Sequence, residues 1–142
     1  NKIPEISWVS DTDGTCDKEF KDYAAYILGH EIESDMVKAN KGFRGYKDLL
    51  QFMNNELNPD KNEYFSTEIE NTIQEWMHQQ LVETIITVRN LENGGTWTRD
   101  EIIKALSPSA LTSVLVSSRI LIMEKVNRAI KSEVESQFVI AA

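Results

Sequence analysis

The run from Ser66 to Leu91, STEIENTIQEWMHQQLVETIITVRNL, constrains this chain most, because one regular structure suits its pattern over its whole length. Ile69, Ile73, Trp76, Met77, Leu81, Ile85, Val88 and Leu91 recur mostly at steps of three and four, which places them on one face of a helix. So apolar a face has to be buried, and the helix therefore demands a layer of other elements against it. Ser66 or Thr67 reads as the N-cap, with Glu70 completing a capping box from Thr67, and Asn93-Gly94-Gly95 reads as the stop. The run is a packing element with no chemistry on it.

The remaining elements follow from the same signals. Tyr46, Leu49, Leu50, Met53 and Leu57 predict a second helix, stopped by Asn58-Pro59. Phe20, Tyr23, Ala24, Ile27 and Leu28 predict another, starting near Asp17 and ending at Gly29. Residues 31–40 fit either a helix through Ile32 and Met36 or a short strand around Met36-Val37-Lys38. Pro4 to Ser10 reads as a short extended segment or edge strand without an evident partner, followed by turn chemistry at Asp11-Thr12-Asp13-Gly14. Thr98 and Glu101 make a capping box, with Trp97 and Ile102 placed for a hydrophobic staple, so a short helix runs to Leu106. Ser107 as N-cap and Pro108 at the first helical position open a last helix through Leu111, Val114, Leu115, Ile122, Val126, Ile130 and Val134. Its middle, Val114 to Met123, is rich in β-branched residues, and a buried strand there is the competing reading. The expected fold is mainly α: a compact helical domain of about five or six helices with a short extended N-terminal segment. Residues 1–142 read as a single helical domain, and the start at Asn1 rather than Met suggests a piece of a longer protein.

Charge and composition narrow the function classes. With 15 basic and 23 acidic residues the net charge is −8, which disfavours nonspecific binding to nucleic acid or to an anionic membrane. No apolar stretch approaches the roughly 20 residues of a membrane span. One cysteine, Cys16, forms no internal disulfide, and the expected compartment is the cytoplasm.

Catalytic and metal signatures fail on their registers. Asp11, Asp13 and Gly14 sit like the third, fifth and sixth positions of a calcium loop, but the first and twelfth positions would be Val9 and Phe20, which offer no side-chain oxygen. His30-Glu31 lacks the second histidine of a zinc-protease motif, and two histidines with one cysteine do not fill a usual zinc set. Cys16 is flanked by Asp13, Asp17 and Glu19, the opposite of the electropositive setting an activated thiol needs. Asn93-Gly94-Gly95 lacks the lysine of a phosphate-binding loop. The expectation is no catalytic residue, no metal and no cofactor. An enzyme built on carboxylates with His30 or His78 has only generic acid and base groups behind it.

Two binding features remain. Lys38, Lys41, Arg44 and Lys47 lie within ten residues near the start of the Tyr46 helix, where a helix N-terminus adds to their attraction for an anion. The layout of 98–123 resembles a helix-turn-helix, although Arg119 is the only cation from Pro108 to Ile122. A surplus of apolar faces points instead to protein contact: Val82 and Ile86 flank the long helix, and Ile120, Leu121 and Met123 lie around the stripe of the last one. The leading expectation is a noncatalytic helical module for self-association or partner docking, a homo-oligomer included. A nucleic-acid or phosphate-ligand module using the basic residues is the alternative.

The order of features resembles the C-terminal region of large bacterial proteins with an N-terminal histidine-kinase/Hsp90-like ATPase domain. The residues are Trp8-Val9-Ser10 after Pro4, Phe43-Arg44-Gly45-Tyr46, Trp76 with Gln79-Gln80-Leu81-Val82-Glu83, Trp97-Thr98, and Ala105-Leu106-Ser107 with Ala110-Leu111-Thr112. The resemblance implies an accessory module whose nucleotide is bound by another domain, and it carries over no functional residue.

Overall fold

The computed structural model describes residues 3–28 and 36–141, and the side chains up to residue 137. Statements about what is absent refer to these residues. Three strands and five helices follow one another: β1 (Glu5–Val9), β2 (Ala25–Ile27), β3 (Met36–Asn40), α1 (Arg44–Leu57), α2 (Glu63–Asn93), α3 (Arg99–Ala105), α4 (Pro108–Ser117) and α5 (Arg119–Ala141). The fold is mainly α, with a small sheet near the N-terminus. No helix among the described residues is long and apolar enough to cross a membrane.

α2 is the spine. Its 31 residues extend roughly 45 Å at the helical rise, and α1, α3, α4 and α5 all pack against it. Ile69, Ile73, Met77, Leu81, Ile85 and Val88 form its buried stripe, meeting Leu49 and Met53 of α1, Ile102 of α3, Leu111 and Leu115 of α4, and Ile122, Val126 and Ile130 of α5 in one core. Trp76 and Trp97 pack half-buried against that core, and Lys125 of α5 lies 4.8 Å from the Trp76 ring centre.

The start of α2 differs from the Ser66/Thr67 expectation by one turn. Asn58 is buried and exchanges two hydrogen bonds with Asn62, donating from Nδ2 to the Asn62 carbonyl and accepting the Asn62 N–H, each at 2.9 Å. That clasp, with Lys61 in the left-handed region at φ 53°, fixes the turn after α1 and presents the Asn62 side chain to the amides of Tyr64 and Phe65. Asn62 is thus the N-cap, and Glu70 accepts instead from the Tyr46 hydroxyl at 2.9 Å, joining α1 to α2. The far end is as expected. Gly95 takes φ 73°, while its N–H and that of Thr96 reach back to the carbonyls of Glu92 and Leu91, the paired bonds of a Schellman stop.

The helix expected from Asp17 to Gly29 is absent. Lys18–Phe20 is a single 3-10 turn and Ala25–Ile27 is β2, antiparallel to β3, whose other edge pairs in parallel with β1. The physical reason is that this segment has to bury two faces. Ala25 and Ile27 turn toward the helices with Ile6, Trp8, Val37 and Ala39, while Tyr26 fills a second cluster on the other side of the sheet with Val9, Cys16, Phe20 and Leu28. A strand with alternating side chains satisfies both layers, and a helix satisfies one. For the open stretch at 31–40, residues 36–40 are strand, and 31–35, like Gly29 and His30, lie outside the described residues.

The expected last helix is two. At Ser118 the chain caps α4: its N–H and hydroxyl both donate to the Val114 carbonyl, at 3.0 and 2.7 Å, and the hydroxyl also reaches Gln80 of α2 at 3.3 Å. Serine hydroxyls that bond back to the preceding turn compete with the helix ladder, and here the helix is interrupted at this one residue before α5 begins. The β-branched middle stays helical on either side of that break.

Candidate functional site

The four candidate cations do not form one anion site. Lys38 is half-buried on the sheet face away from the helices, opposite Ser7 and Tyr26 in register. Lys41 and Lys47 line a cleft that they share with Asp11, Asp13 and Glu70. Arg44 and Lys47 line a neighbouring one with Lys21, Asp11 and Asp22, and Arg44 pairs with Asp48 at 3.6 Å within its own helix. The carboxylates cancel much of the positive potential. Asp13 is itself engaged: the Thr15 hydroxyl and N–H both donate to Oδ1, and these bonds hold its carboxyl below the usual carboxylate value. The Asp11–Gly14 segment is a closed turn in which Gly14 takes φ 77°.

The five candidate contact residues also divide. Ile120 and Leu121 lie open at the start of α5, 66% and 37% exposed. Met123 packs half-buried against the core. Val82 and Ile86 are half-buried on α2, about 160° and 120° around the helix from Gln80, the residue that touches Ser118. They therefore belong to a different side of the molecule from Ile120 and Leu121.

Beside the α4–α5 corner the structure adds a pocket that sequence reasoning missed. It holds about 110 Å³ between the sheet and the helices. Trp8 from β1 and Ala24 from the entrance of β2 make one side, Tyr46 and Leu49 of α1 with Met77 of α2 another, and Leu115 and Val116 of α4 a third. Phe43 and Arg119 stand in the remaining wall. The Trp8 and Tyr46 rings lie 5.5 Å apart, tilted at 41°, and the Ala24 N–H donates to Thr112 Oγ1 at 2.9 Å, tying the sheet to α4. Val116, 56% exposed, stands in the α4 wall of the pocket. No single stretch shows this in the sequence, because its walls come from segments more than one hundred residues apart; the only local signal is Val116, an apolar residue off the α4 stripe of Leu111 and Leu115.

Two polar side chains in the pocket wall, Asn40 and Tyr46, are already used within the protein. Asn40 donates from Nδ2 to the carbonyls of Lys21 and Tyr23 and accepts from the Gly42 N–H. The Tyr46 hydroxyl donates to Glu70 and accepts from Gln74, and burial first, with the Glu70 carboxylate adding to it, pushes its ionisation well above the ordinary tyrosine range. Arg119 forms no ion pair among the described residues. Such an arrangement can bind an apolar group and pair one anion, and it holds no nucleophile with an adjacent base. Cys16, the one free thiol, is buried on the far side of the sheet, and His78 is an exposed residue of α2. Comparison with family models, with curated proteins and with solved structures finds no match to this chain.

Proposed function

We propose that the chain is a noncatalytic docking module, which uses the corner between α4 and α5 and the adjoining pocket to hold a protein partner or a second copy of itself. The observation that carries this reading is an apolar pocket whose wall includes Val116, 56% exposed, with Ile120 and Leu121, 66% and 37% exposed, following along the chain at the start of α5. Large apolar side chains grouped beside a pocket are the usual anatomy of a contact surface, where an anchor enters and its surroundings exclude water. The anion-binding alternative through Lys38, Lys41, Arg44 and Lys47 has less behind it, because the clefts that hold the last three also hold carboxylates. The helix-turn-helix reading is weaker still: α4 has no cation of its own, and its Leu111 and Leu115 are committed to the core. In keeping with the resemblance to ATPase-associated proteins, the module would serve as an accessory part of a larger protein in the cytoplasm.

A photoreactive phenylalanine analogue at position 120, compared with the same group at exposed Glu56 of α1, tests the proposal in the producing cell. Crosslinking at 120 and not at 56 should give adducts of discrete mass. An adduct at twice the 16.2 kDa of the chain would identify a second copy, and another mass a different partner. No adduct at 120, or the same pattern from both positions, contradicts the docking role.

A further inference from the structure

We infer that Asn93 is a site of spontaneous covalent modification, at which the Gly94 backbone nitrogen displaces the side-chain amide, and that the stop of α2 holds this reaction in check. Among the asparagines of the chain only Asn93 precedes a glycine, so at this bond alone no Cβ on the following residue hinders the approach of its nitrogen. Asn93, Gly94 and Gly95 are all exposed, and water reaches the site. The step balances without a cofactor or a redox partner. A bond forms from Gly94 N to Asn93 Cγ and closes a succinimide; the Cγ–Nδ2 bond breaks, and Nδ2 leaves as ammonia with the proton of the Gly94 N–H. Water then opens the ring at one of its two carbonyls, giving aspartate or isoaspartate.

The fold opposes the first of these events. Asn93 is the last residue of α2, and the Gly94 N–H donates to the Asn90 carbonyl at 3.0 Å, so the attacking nitrogen is held in the helix ladder. The N–H groups of Gly95 and Thr96 lock the same turn through the carbonyls of Glu92 and Leu91, at 3.0 and 3.3 Å. Reaction therefore requires the last turn to fray, and local opening of this kind costs least at the ends of elements. Gly95 is the latch, because its φ of 73° strains any residue with a Cβ.

The product acts back on the structure. Isoaspartate carries the chain through its side-chain carbon and so adds a methylene to the backbone between residues 93 and 94. All three bonds of the stop span that point, and their register is lost. The new carboxylate also lies at the C-terminal end of α2, where the macrodipole disfavours an anion. It stands beside Glu92, whose Oε1 pairs with Arg99 at 3.3 Å and whose buried Oε2 has no hydrogen-bond partner among the described residues. Modification thus loosens the connection from α2 to α3.

Incubation of the intact chain at mildly alkaline pH, with peptide mapping that separates aspartate from isoaspartate, tests this. A blocked peptide of residues 91–97 is the unfolded reference. Both products should accumulate at position 93 ahead of every other asparagine, and at least about tenfold more slowly than in the peptide, because three backbone bonds must open first. At a temperature where G95A keeps the circular dichroism of the native chain, it should react about fivefold faster or more, while the same change leaves the peptide rate nearly unaltered. G94A, whose Cβ would stand 3.4 Å from the Asn90 carbonyl in ordinary contact, should fold and nearly abolish the reaction. The isoaspartate form should exchange its Gly95 and Thr96 amide protons faster than the unmodified chain. No product at 93, or as much at another asparagine, would overturn the site. Equal rates in chain and peptide, or no acceleration in G95A, would overturn the restraint by the helix stop, and unchanged amide exchange would overturn the loosening.

Discussion

Burial decides the chemistry of Cys16. The thiol sits with Val9 and Tyr26 behind the sheet; burial first, and then the carboxylates of Asp17, Asp11 and Asp13, push it up from the ordinary cysteine value, while the Tyr26 hydroxyl bond works the other way. A buried thiol short of thiolate is a poor nucleophile. At mildly alkaline pH its alkylation by iodoacetamide should be at least about tenfold slower in the native chain than in the unfolded one, and equal rates would show that the cluster is open. Glu101 has the opposite shift. Its carboxylate accepts from the Thr98 N–H and hydroxyl, and those bonds lower its pKa. Since the folded value lies below the unfolded one, its contribution is present above the ordinary carboxylate pKa and is lost as pH falls through the folded value. The melting-temperature gap between the native chain and Glu101→Gln should accordingly narrow from neutral pH to about pH 3. A gap that stays constant over that range would mean that the hydrogen bonds to Glu101 do not favour its charged form. Replacing Thr98 by Ala removes the cap and should cost about 1 kcal/mol.

At the scale of elements, α2 carries the fold and its two flanks play unequal parts. Leu81 is fully buried in its middle, so Leu81→Ala should destabilise by about 2–5 kcal/mol in denaturant titration. Val82, one residue on and half-buried, should cost clearly less when changed to Ser; a Val82 effect equal to that of Leu81 would place it inside the core. The helices α1, α2 and α3 were legible because their stripes and stops are local: Tyr46, Leu49 and Met53 before Asn58-Pro59, the long stripe of α2 before Gly94-Gly95, and the Thr98–Glu101 box. What failed was set by contacts distant in sequence. Phe20, Tyr23, Ala24, Ile27 and Leu28 have helical spacing, yet β3 supplies an edge and Tyr26 a second buried layer, and together they outweigh that spacing. Asn62 became the cap of α2 because Asn58 holds it there. The corner at Ser118 depends on a hydroxyl that bonds back to Val114 and across to Gln80, a choice that a run of small and β-branched residues leaves open.

Across the whole molecule, one core joins the sheet to all five helices, and apolar residues are left outside it at the α4–α5 corner. Ile120 and Leu121 were visible in the sequence as apolar positions beside the stripe. The pocket was not, since Trp8, Ala24, Leu49, Met77 and Leu115 come together only when the sheet, α1, α2 and α4 have packed. The charged clefts around Lys41, Arg44 and Lys47 form a separate region in which cations and carboxylates balance. The proposed contact surface is the α4–α5 junction, while Met36, Phe52, Ile103 and Val134 are exposed apolar residues elsewhere. A photo-crosslinking scan of the full chain with the probe at positions 47, 56, 83, 116 and 120 tests that assignment most directly. The account predicts that yields peak at 116 and 120; equal yields at all five positions, or a peak at 47, would contradict it.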